Sequence, residues 1–233
     1  MRVIGIVPAR MESARFPGKP LALIAGRPML RHVIDAVARS RMLFPYFIAS
    51  PDLDIAEYCK REHLPHVVTT RACRNGTERV SNALRQIAQG ADDIVMNVQG
   101  DEPMIKPESL DRLALAFEDR DVQIASLCYR PRDHQHAADR NRVKVILTGA
   151  HNAFAFTRKA LRPGIDHFVH VGVYAYRLAA LAQIAALPPA ADLEQTAWLR
   201  AGFDIKMIML DYEPIAVDCP ADLAAVARIL EPA

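Results

Sequence analysis

Cysteine is scarce in this chain of 233 residues, which has four cysteines. None of their spacings matches a zinc knuckle or a redox pair, so neither a structural zinc site nor a dithiol centre is expected. Thiols scattered in this way indicate free cysteines in a reducing compartment. The four positions are Cys59, Cys73, Cys128 and Cys219.

Long apolar runs and an excess of one charge are also absent. No apolar stretch approaches the roughly 20 residues that a membrane span needs. The short apolar run at 3–7 lies between Arg2 and Arg10 and is typical of a strand, not of a signal peptide. The formal net charge of +2 predicts no broad basic surface for nucleic acid or membrane. We therefore expect a cytoplasmic protein without a nucleic-acid or membrane partner.

Strand and helix signals alternate through the first half of the chain. This alternation predicts an α/β fold with a doubly wound, mostly parallel, Rossmann-like sheet, which binds ligands at the carboxyl ends of its strands. Apolar runs predict strands at 3–7, 46–49, 66–69 and 93–98. Helical spacing predicts helices at 28–39, 53–61 and 77–89.

The second half has a different pattern, with several strand-forming segments close together. These segments predict mixed or antiparallel pairing, and therefore a small mixed α/β subdomain within a single domain over 1–233. Strands are expected at 122–129, 142–147, 152–156, 170–176 and 205–210. Helices are expected at 178–186, 191–201 and 220–230, the last with proline in its first turn.

The loop at 8–20, Pro-Ala-Arg-Met-Glu-Ser-Ala-Arg-Phe-Pro-Gly-Lys-Pro, directly follows the first predicted strand. It places Arg10, Arg15 and Lys19 beside an apolar core. Guanidinium forks and a compact ammonium group suit phosphate oxygens. Gly18 allows a close approach of the backbone. The loop therefore predicts a polyphosphate site.

A second polar turn, Val-Gln-Gly-Asp-Glu-Pro at 98–103, follows another apolar strand. A carboxylate at a strand end beside phosphate groups is a suitable ligand for Mg²⁺, which binds one or two carboxylates with phosphate oxygens and waters. We therefore interpret Asp101 as a metal ligand. Asn75 and Glu78 have capping-box spacing and predict the start of a helix there.

Both motifs resemble the signatures of the 3-deoxy-manno-octulosonate (Kdo) cytidylyltransferase family. Val-Asp-Cys-Pro-Ala-Asp-Leu at 217–223 is similar to the family's V-D-T-P-E-D-L, and Gly-Thr-Glu-Arg at 76–79 to its G-T-[DE]-R. The resemblance implies the nucleotide-diphospho-sugar transferase fold, transfer of CMP from CTP to an acidic sugar, and Mg²⁺ on Asp101 and Asp218. It also implies a homodimer. The nucleotide-binding part is then 1–120 with 205–233, and the part for acceptor binding and dimerisation is 121–204.

The resemblance also implies roles for particular residues. Catalytic roles fall on Lys19, Arg10, Arg15 and Asp101. The implied nucleotide-binding residues are Pro8, Ala9, Arg10, Ser13, Arg15, Lys19, Ala49, Ser50, Asp52, Asn75, Gly76, Arg79, Gln99 and Gly100.

The acceptor side carries weaker motifs. Val-His-Val-Gly-Val-Tyr-Ala-Tyr at 169–176 resembles the family's R-H-[IL]-G-[IL]-Y-[GA]-Y, and Leu-Glu-Gln at 193–195 resembles its L-E-Q. Asn-Arg-Val-Lys-Val at 141–145 resembles N-x-V-K-V. The residues implied in acceptor binding are Arg158, His170, Tyr174, Glu194 and Gln195.

Departures from the family pattern leave the acceptor open. The long insert that usually follows S-R-x-x-I-P is missing after Phe156, and Val169 replaces an arginine. Kdo is the acceptor that the resemblance implies. An amino-Kdo variant or a phosphonate would use the same chemistry, and a non-catalytic nucleotide-binding protein would use the same fold.

Overall fold

The computed structural model describes residues 1–133, 135–190 and 192–231, which form a nine-stranded sheet and a separate two-stranded one. The strands are β1 (Val3–Pro8), β2 (Leu23–Ile24), β3 (Arg27–Pro28), β4 (Leu43–Ser50), β5 (His66–Val68), β6 (Ile94–Val98), β7 (Ile124–Tyr129), β8 (Lys144–Leu147), β9 (Ala153–Thr157), β10 (Phe168–Arg177) and β11 (Ile205–Leu210). The helices are α1 (Met29–Arg39), α2 (Leu53–Arg61), α3 (Gly76–Leu84), α4 (Pro107–Leu115), α5 (Gln135–Ala138), α6 (Leu178–Ala185), α7 (Glu194–Arg200) and α8 (Pro220–Leu230).

The large sheet has the strand order β11-β7-β10-β6-β1-β4-β5. β1 pairs in parallel with both β4 and β6, while β5 and β11 also pair in parallel with their neighbours. β10 is antiparallel to β6, β7 and β8, and β8 is antiparallel to β9. The mostly parallel sheet with mixed pairing in the second half confirms the predicted fold class.

Helices cover both faces of the sheet. α1 and α4 pack on one face, where Val33 and Leu110 belong to one apolar core. α3, α6 and α7 pack on the other face, where Val80, Leu181 and Trp198 belong to a second core. Both layers are built from apolar side chains at helical spacing, and the sequence predicts α1, α3, α6 and α7 among these helices.

Some element boundaries differ from the sequence-based expectation. α3 ends at Leu84, although the prediction extends to 89. The amides of Gln86 and Ile87 turn back to carbonyls three residues earlier, so the last turn tightens and the helix stops. α4, α5 and the β2–β3 hairpin were not predicted.

The parallel pairing of β1 with β6 brings the two predicted polar loops together. β1 leads into the loop 8–20, and β6 leads into the turn that carries Asp101. A Cβ atom on Gly100 would lie 3.2 Å from the carbonyl oxygen of Pro8 and 3.4 Å from Leu30 Cδ1. A side chain at position 100 would force these neighbours to shift by a few tenths of an ångström, so glycine suits the close approach of the two strand ends.

None of the four cysteines, all of which lie in the described ranges, forms a disulfide bond. The four cysteines are free thiols, and Cys59, Cys73 and Cys128 are buried. None of the helices in the described ranges is long and apolar enough to cross a lipid bilayer.

The turn between α1 and β4 is tied to α4 by one carboxylate. Asp111 Oδ1 accepts hydrogen bonds from Ser40 Oγ at 2.5 Å, from the amide of Arg41 at 3.0 Å and from the amide of Met42 at 3.2 Å.

We predict that Asp111→Ala lowers the free energy of unfolding by about 1–3 kcal/mol, because these donors lose their partner. Denaturant titration measures the change. Glu108→Ala, on the exposed face of the same helix, is the control and should change stability by less than about 0.5 kcal/mol; equal effects would contradict the interpretation.

Candidate active site

Two adjoining cavities open at the carboxyl ends of β1 and β6. The first, of about 350 Å³, is lined by the loop 8–20, the start of α3 and the turn after β6. The second, of about 550 Å³, lies towards β10 and α7. The residues that line both are Arg10, Asn75, Gly76, Gln99, Asp101 and Asp218. The cavities are therefore two halves of one site.

Two cations of the loop pair with two carboxylates in the first cavity. Lys19 Nζ lies 2.8 Å from Asp101 Oδ2, and Arg15 Nη2 lies 2.8 Å from Asp218 Oδ1. The amide of Val217 donates to the carbonyl oxygen of Asp101 at 2.9 Å, which holds the two aspartate segments side by side. Lys19 also donates to the carbonyl oxygen of Val217 at 2.8 Å. Residues as far as 203 positions apart in the sequence thus form one compact charged cluster.

The loop 8–20 is held by a buried carboxylate. Asp52 Oδ2 accepts a hydrogen bond from the amide of Met11 at 2.7 Å, and Asp52 Oδ1 lies 3.1 Å from Arg71 Nη1. The amide of Ala9 donates to the carbonyl oxygen of Ala49 at 3.0 Å. Among the described residues that line the two cavities, Ala49, Ser50 and Asp52 do not occur. In this structure, Ala49 and Asp52 form hydrogen bonds with the backbone of the loop 8–20 and lie outside the cavities.

The N-terminus of α3 forms another wall. Asn75 Oδ1 accepts a hydrogen bond from the amide of Glu78 at 2.8 Å, so the predicted cap is present. Arg79 is buried one turn further on and donates to Thr69 Oγ1 at 2.8 Å. Burial lowers the pKa of Arg79, yet a guanidinium remains charged at neutral pH. The cap leaves backbone donors and a buried cation facing the cavity, an arrangement that suits an anion or a polar base edge.

His170, on the β10 wall of the second cavity, is neutral and has a defined tautomer. Burial lowers its pKa to about 3. Ser126 Oγ donates to the carbonyl oxygen of Val173 at 2.7 Å, so its contact of 2.9 Å with His170 Nε2 requires the histidine to be the donor. His170 Nδ1 then carries a lone pair, which can accept a hydrogen bond from a hydroxyl group.

The other predicted acceptor residues surround His170. Its ring lies 5.2 Å from the ring of Tyr174, which accepts a hydrogen bond from Gln195 Nε2. Burial raises the pKa of Glu194 to about 7. Glu194 Oε2 and Gln195 Oε1 are buried and have no hydrogen-bond partner within the described ranges. Buried polar atoms are normally satisfied, so these two oxygens are ready to receive donors from a ligand.

Glu102 is a site residue to which the sequence analysis assigned no role. It is buried in the turn after β6 and lines the second cavity, where its Oε1 accepts from the amide of Gly172 at 2.8 Å. Burial, together with the neighbouring Asp101, raises the pKa of Glu102 to about 8. A Cβ atom on Gly172 would lie 2.8 Å from Gln99 Oε1, so β10 passes this turn closely. The signal in the sequence was an acidic pair directly after an apolar strand, but a turn with surface acids has the same pattern.

Asp101 and Asp218 could hold a metal ion. Both line the first cavity and carry carboxylate oxygens, the ligand atoms that Mg²⁺ prefers. The described part of the chain contains no group of three or more histidine, cysteine or acidic residues placed to hold a metal. Mg²⁺ does not require one, because it commonly binds through one or two carboxylates and completes its shell with phosphate oxygens and water. The residues present fit this ion.

Most of the residues implied by the sequence resemblance line the two cavities. Those at the first cavity are Pro8, Ala9, Arg10, Ser13, Arg15, Lys19, Asn75, Gly76, Arg79, Gln99, Gly100, Asp101 and Asp218. Those at the second are Arg158, His170, Tyr174, Glu194 and Gln195.

Known proteins are similar to this chain in sequence and in fold. Residues 4–206 match the family model described as cytidylyltransferase. The 3-deoxy-manno-octulosonate cytidylyltransferase of Nitratidesulfovibrio vulgaris strain DP4 is 35% identical over 240 residues, which cover 97% of this chain and 95% of that protein. The protein of the same name from Acidobacterium capsulatum is 36% identical over 242 residues, with 99% and 97% covered.

The fold agrees with the sequence match. A solved structure of CMP:2-keto-3-deoxy-manno-octonic acid synthetase in complex with CTP superposes with a TM-score of 0.90 at 28% identity, and the match covers 99% of this chain and 98% of that one. Family model, relatives and fold agree over nearly the whole length, and the chain belongs to the cytidylyltransferase family.

Proposed function

We propose that this protein transfers the CMP group of CTP to Kdo and releases pyrophosphate. The observation that carries the proposal is the position of the Lys19–Asp101 and Arg15–Asp218 pairs at the junction of the two cavities. A triphosphate in the first cavity would place its α-phosphate beside an acceptor in the second. The relatives named Kdo cytidylyltransferase and the CTP complex of the structural neighbour support this reaction.

The reaction needs positioning and charge neutralisation more than covalent chemistry from the protein. The acceptor hydroxyl oxygen forms a bond to the α-phosphorus, and the bond from that phosphorus to the bridging β-oxygen breaks. The leaving pyrophosphate takes the electron pair, and the hydroxyl proton is lost to solvent. Lys19 and Arg15 would neutralise the β- and γ-phosphates, while Arg10, which lines both cavities, would hold the α-phosphate.

Mg²⁺ is the cofactor that the site favours, with Asp101 and Asp218 as its protein ligands. When bound, it would neutralise phosphate charge and lower the pKa of the acceptor hydroxyl. The two carboxylates currently pair with Lys19 and Arg15. Because a triphosphate is itself a strong partner for both cations, nucleotide binding would release carboxylate oxygens for the ion.

The second cavity has groups that could bind an acidic sugar. His170 Nδ1, Glu194 Oε2 and Gln195 Oε1 provide acceptors for hydroxyl groups, and Arg158 provides a cation. The test measures pyrophosphate release with CTP and Mg²⁺ against Kdo, an amino-Kdo variant, phosphonates and other sugar acids. Release with Kdo supports the proposal. Release with a different acid alone retains the CMP transfer and changes the acceptor, and binding of CTP without release under any condition would contradict enzymatic function.

The same family resemblance supports a homodimer and a cytoplasmic location. The protein should elute at twice the protomer mass in size-exclusion chromatography with light scattering. It should be recovered in the cytosolic fraction of its cell.

Asp101 provides the first substitution test. We predict that Asp101→Asn lowers kcat at least about 100-fold with the fold intact, because the change removes a charge that neutral asparagine cannot replace. Pyrophosphate release and thermal unfolding are measured together. Asp92→Asn, which changes an exposed aspartate before β6, is the matched control and should retain full activity. Activity of Asp101→Asn near that of the wild type would remove the metal assignment.

Lys19 provides the second substitution test. We predict that Lys19→Ala lowers kcat/KM for CTP more than about 10-fold, the usual cost of losing one preorganised charge contact. Lys19→Arg should recover part of this loss, because the charge remains although its shape changes. Lys60→Ala, at an exposed position of α2, controls for the loss of a positive charge. Equal rates for the Lys19→Ala and Lys60→Ala variants would contradict a role for Lys19 on the phosphates.

A further inference from the structure

Arg142 is a cation in the second cavity to which neither the sequence nor the family comparison assigns a role. It occupies the unspecified position of the N-x-V-K-V motif and lines the cavity with 23% of its side chain exposed. Its closest carboxylate oxygen, Asp139 Oδ2, lies 4.0 Å from Nε. Within the described ranges, the guanidinium of Arg142 donates no hydrogen bond, so its planar set of N–H donors is free for a ligand.

A buried lysine forms hydrogen bonds with the backbone of the loop that carries Arg142. Lys144 is fully buried, and its Nζ donates to the carbonyl oxygens of Asp139 at 2.6 Å and Arg158 at 3.0 Å. Burying an ammonium group is costly unless it is well satisfied, so these contacts fix the lysine and the two backbone segments together.

Arg158 also forms a hydrogen bond with the backbone of this loop. Its Nη1 donates to the carbonyl oxygen of Asn141 at 3.0 Å, and its Nε lies 3.8 Å from Asp192. Part of its hydrogen-bonding capacity is therefore committed to the protein. Arg15 Nη1, in the loop 8–20, donates to Asn141 Oδ1 at 3.4 Å. This contact links the loop 139–142 to the first cavity.

An acidic ligand in this cavity needs a cation that is not already engaged. Of the other cations that line it, Arg74 pairs with Glu78, Arg158 donates to the loop 139–142, and Arg10 is the residue proposed for the α-phosphate. Asp101, Asp192 and Asp218 line it together with Glu102 and Glu194, whose pKa values are raised by burial, and every carboxylate among them that is ionised opposes the entry of another. Arg142 faces this acidic lining with its donors unused, and a guanidinium matches a carboxylate with two parallel hydrogen bonds.

We propose that Arg142, presented by a loop that contacts Lys144 and Arg158, binds the carboxylate of the acceptor. The inference rests on the proposed function in one respect, since it takes the acceptor to be an acid. It assigns recognition of the acid group to Arg142. The hydroxyl groups are then left to His170, Glu194 and Gln195.

Equilibrium binding of Kdo to the protein, saturated with a non-hydrolysable CTP analogue, tests this inference. We expect Arg142→Met to weaken Kdo binding at least about tenfold, the size of one lost charge-assisted contact. Arg142→Lys should recover part of the loss. The affinity for the CTP analogue and the midpoint of thermal unfolding should not change. Arg140→Met is the matched control, because Arg140 is exposed, lies two residues away and does not line the cavity among the described residues.

The C1 carboxamide of Kdo shows which group Arg142 binds. It lacks the negative charge, so we expect Arg142→Met and the wild type to bind it equally. An equal loss for Kdo and its amide, a loss of thermal stability in Arg142→Met, or unchanged Kdo binding would each overturn the inference. Failure of the wild type to bind Kdo would overturn it as well. Kdo binding without pyrophosphate release from CTP and Mg²⁺ would contradict the proposed function instead and leave the Arg142 comparison decisive.

Discussion

Two ion pairs at the end of two parallel strands are the interaction on which the site depends. β1 and β6 run side by side, so the loop after one strand and the turn after the other leave the sheet at the same edge. Lys19 pairs with Asp101 there, and Arg15 pairs with Asp218, which lies near the other end of the sequence. Gly100 allows the two strand ends to approach, and Asp52 fixes the loop. Each charge thus has an opposite charge beside it before any ligand arrives.

A nucleotide triphosphate would exchange partners within this cluster without leaving a charge unpaired. Phosphate oxygens would take over the two cations, and a divalent ion would take over the two carboxylates. Positions set by buried strands need little rearrangement during such an exchange, which is the condition for electrostatic catalysis. The second cavity shares Arg10, Asp101 and Asp218 with the first, so an acceptor bound there would approach the phosphate from the β10 side.

Local signals explain how much of this could be predicted from the sequence. Apolar runs predicted the parallel strands, and a run of cations after one of them predicted the loop that pairs with Asp101. The antiparallel insertion of β10 between β6 and β7 depends on pairing partners distant in sequence, which no local pattern contains. The contact of Glu102 with Gly172 and the burial of Lys144 depend on that insertion. Ala49 and Asp52 differ from Glu102, because the sequence resemblance implies that they bind the nucleotide. In the structure they contact the loop 8–20 and do not line either cavity.

Asp101 and Asp218 would act as one unit if both hold a single ion on the triphosphate. The dissociation constant of CTP in the presence of Mg²⁺, measured for the wild type, Asp101→Asn, Asp218→Asn and the double variant, tests this coupling. Substitutions that remove ligands of one ion are coupled, so the double variant should bind CTP no more weakly than the weaker single variant. Losses that multiply, as for independent sites, would contradict the shared ion.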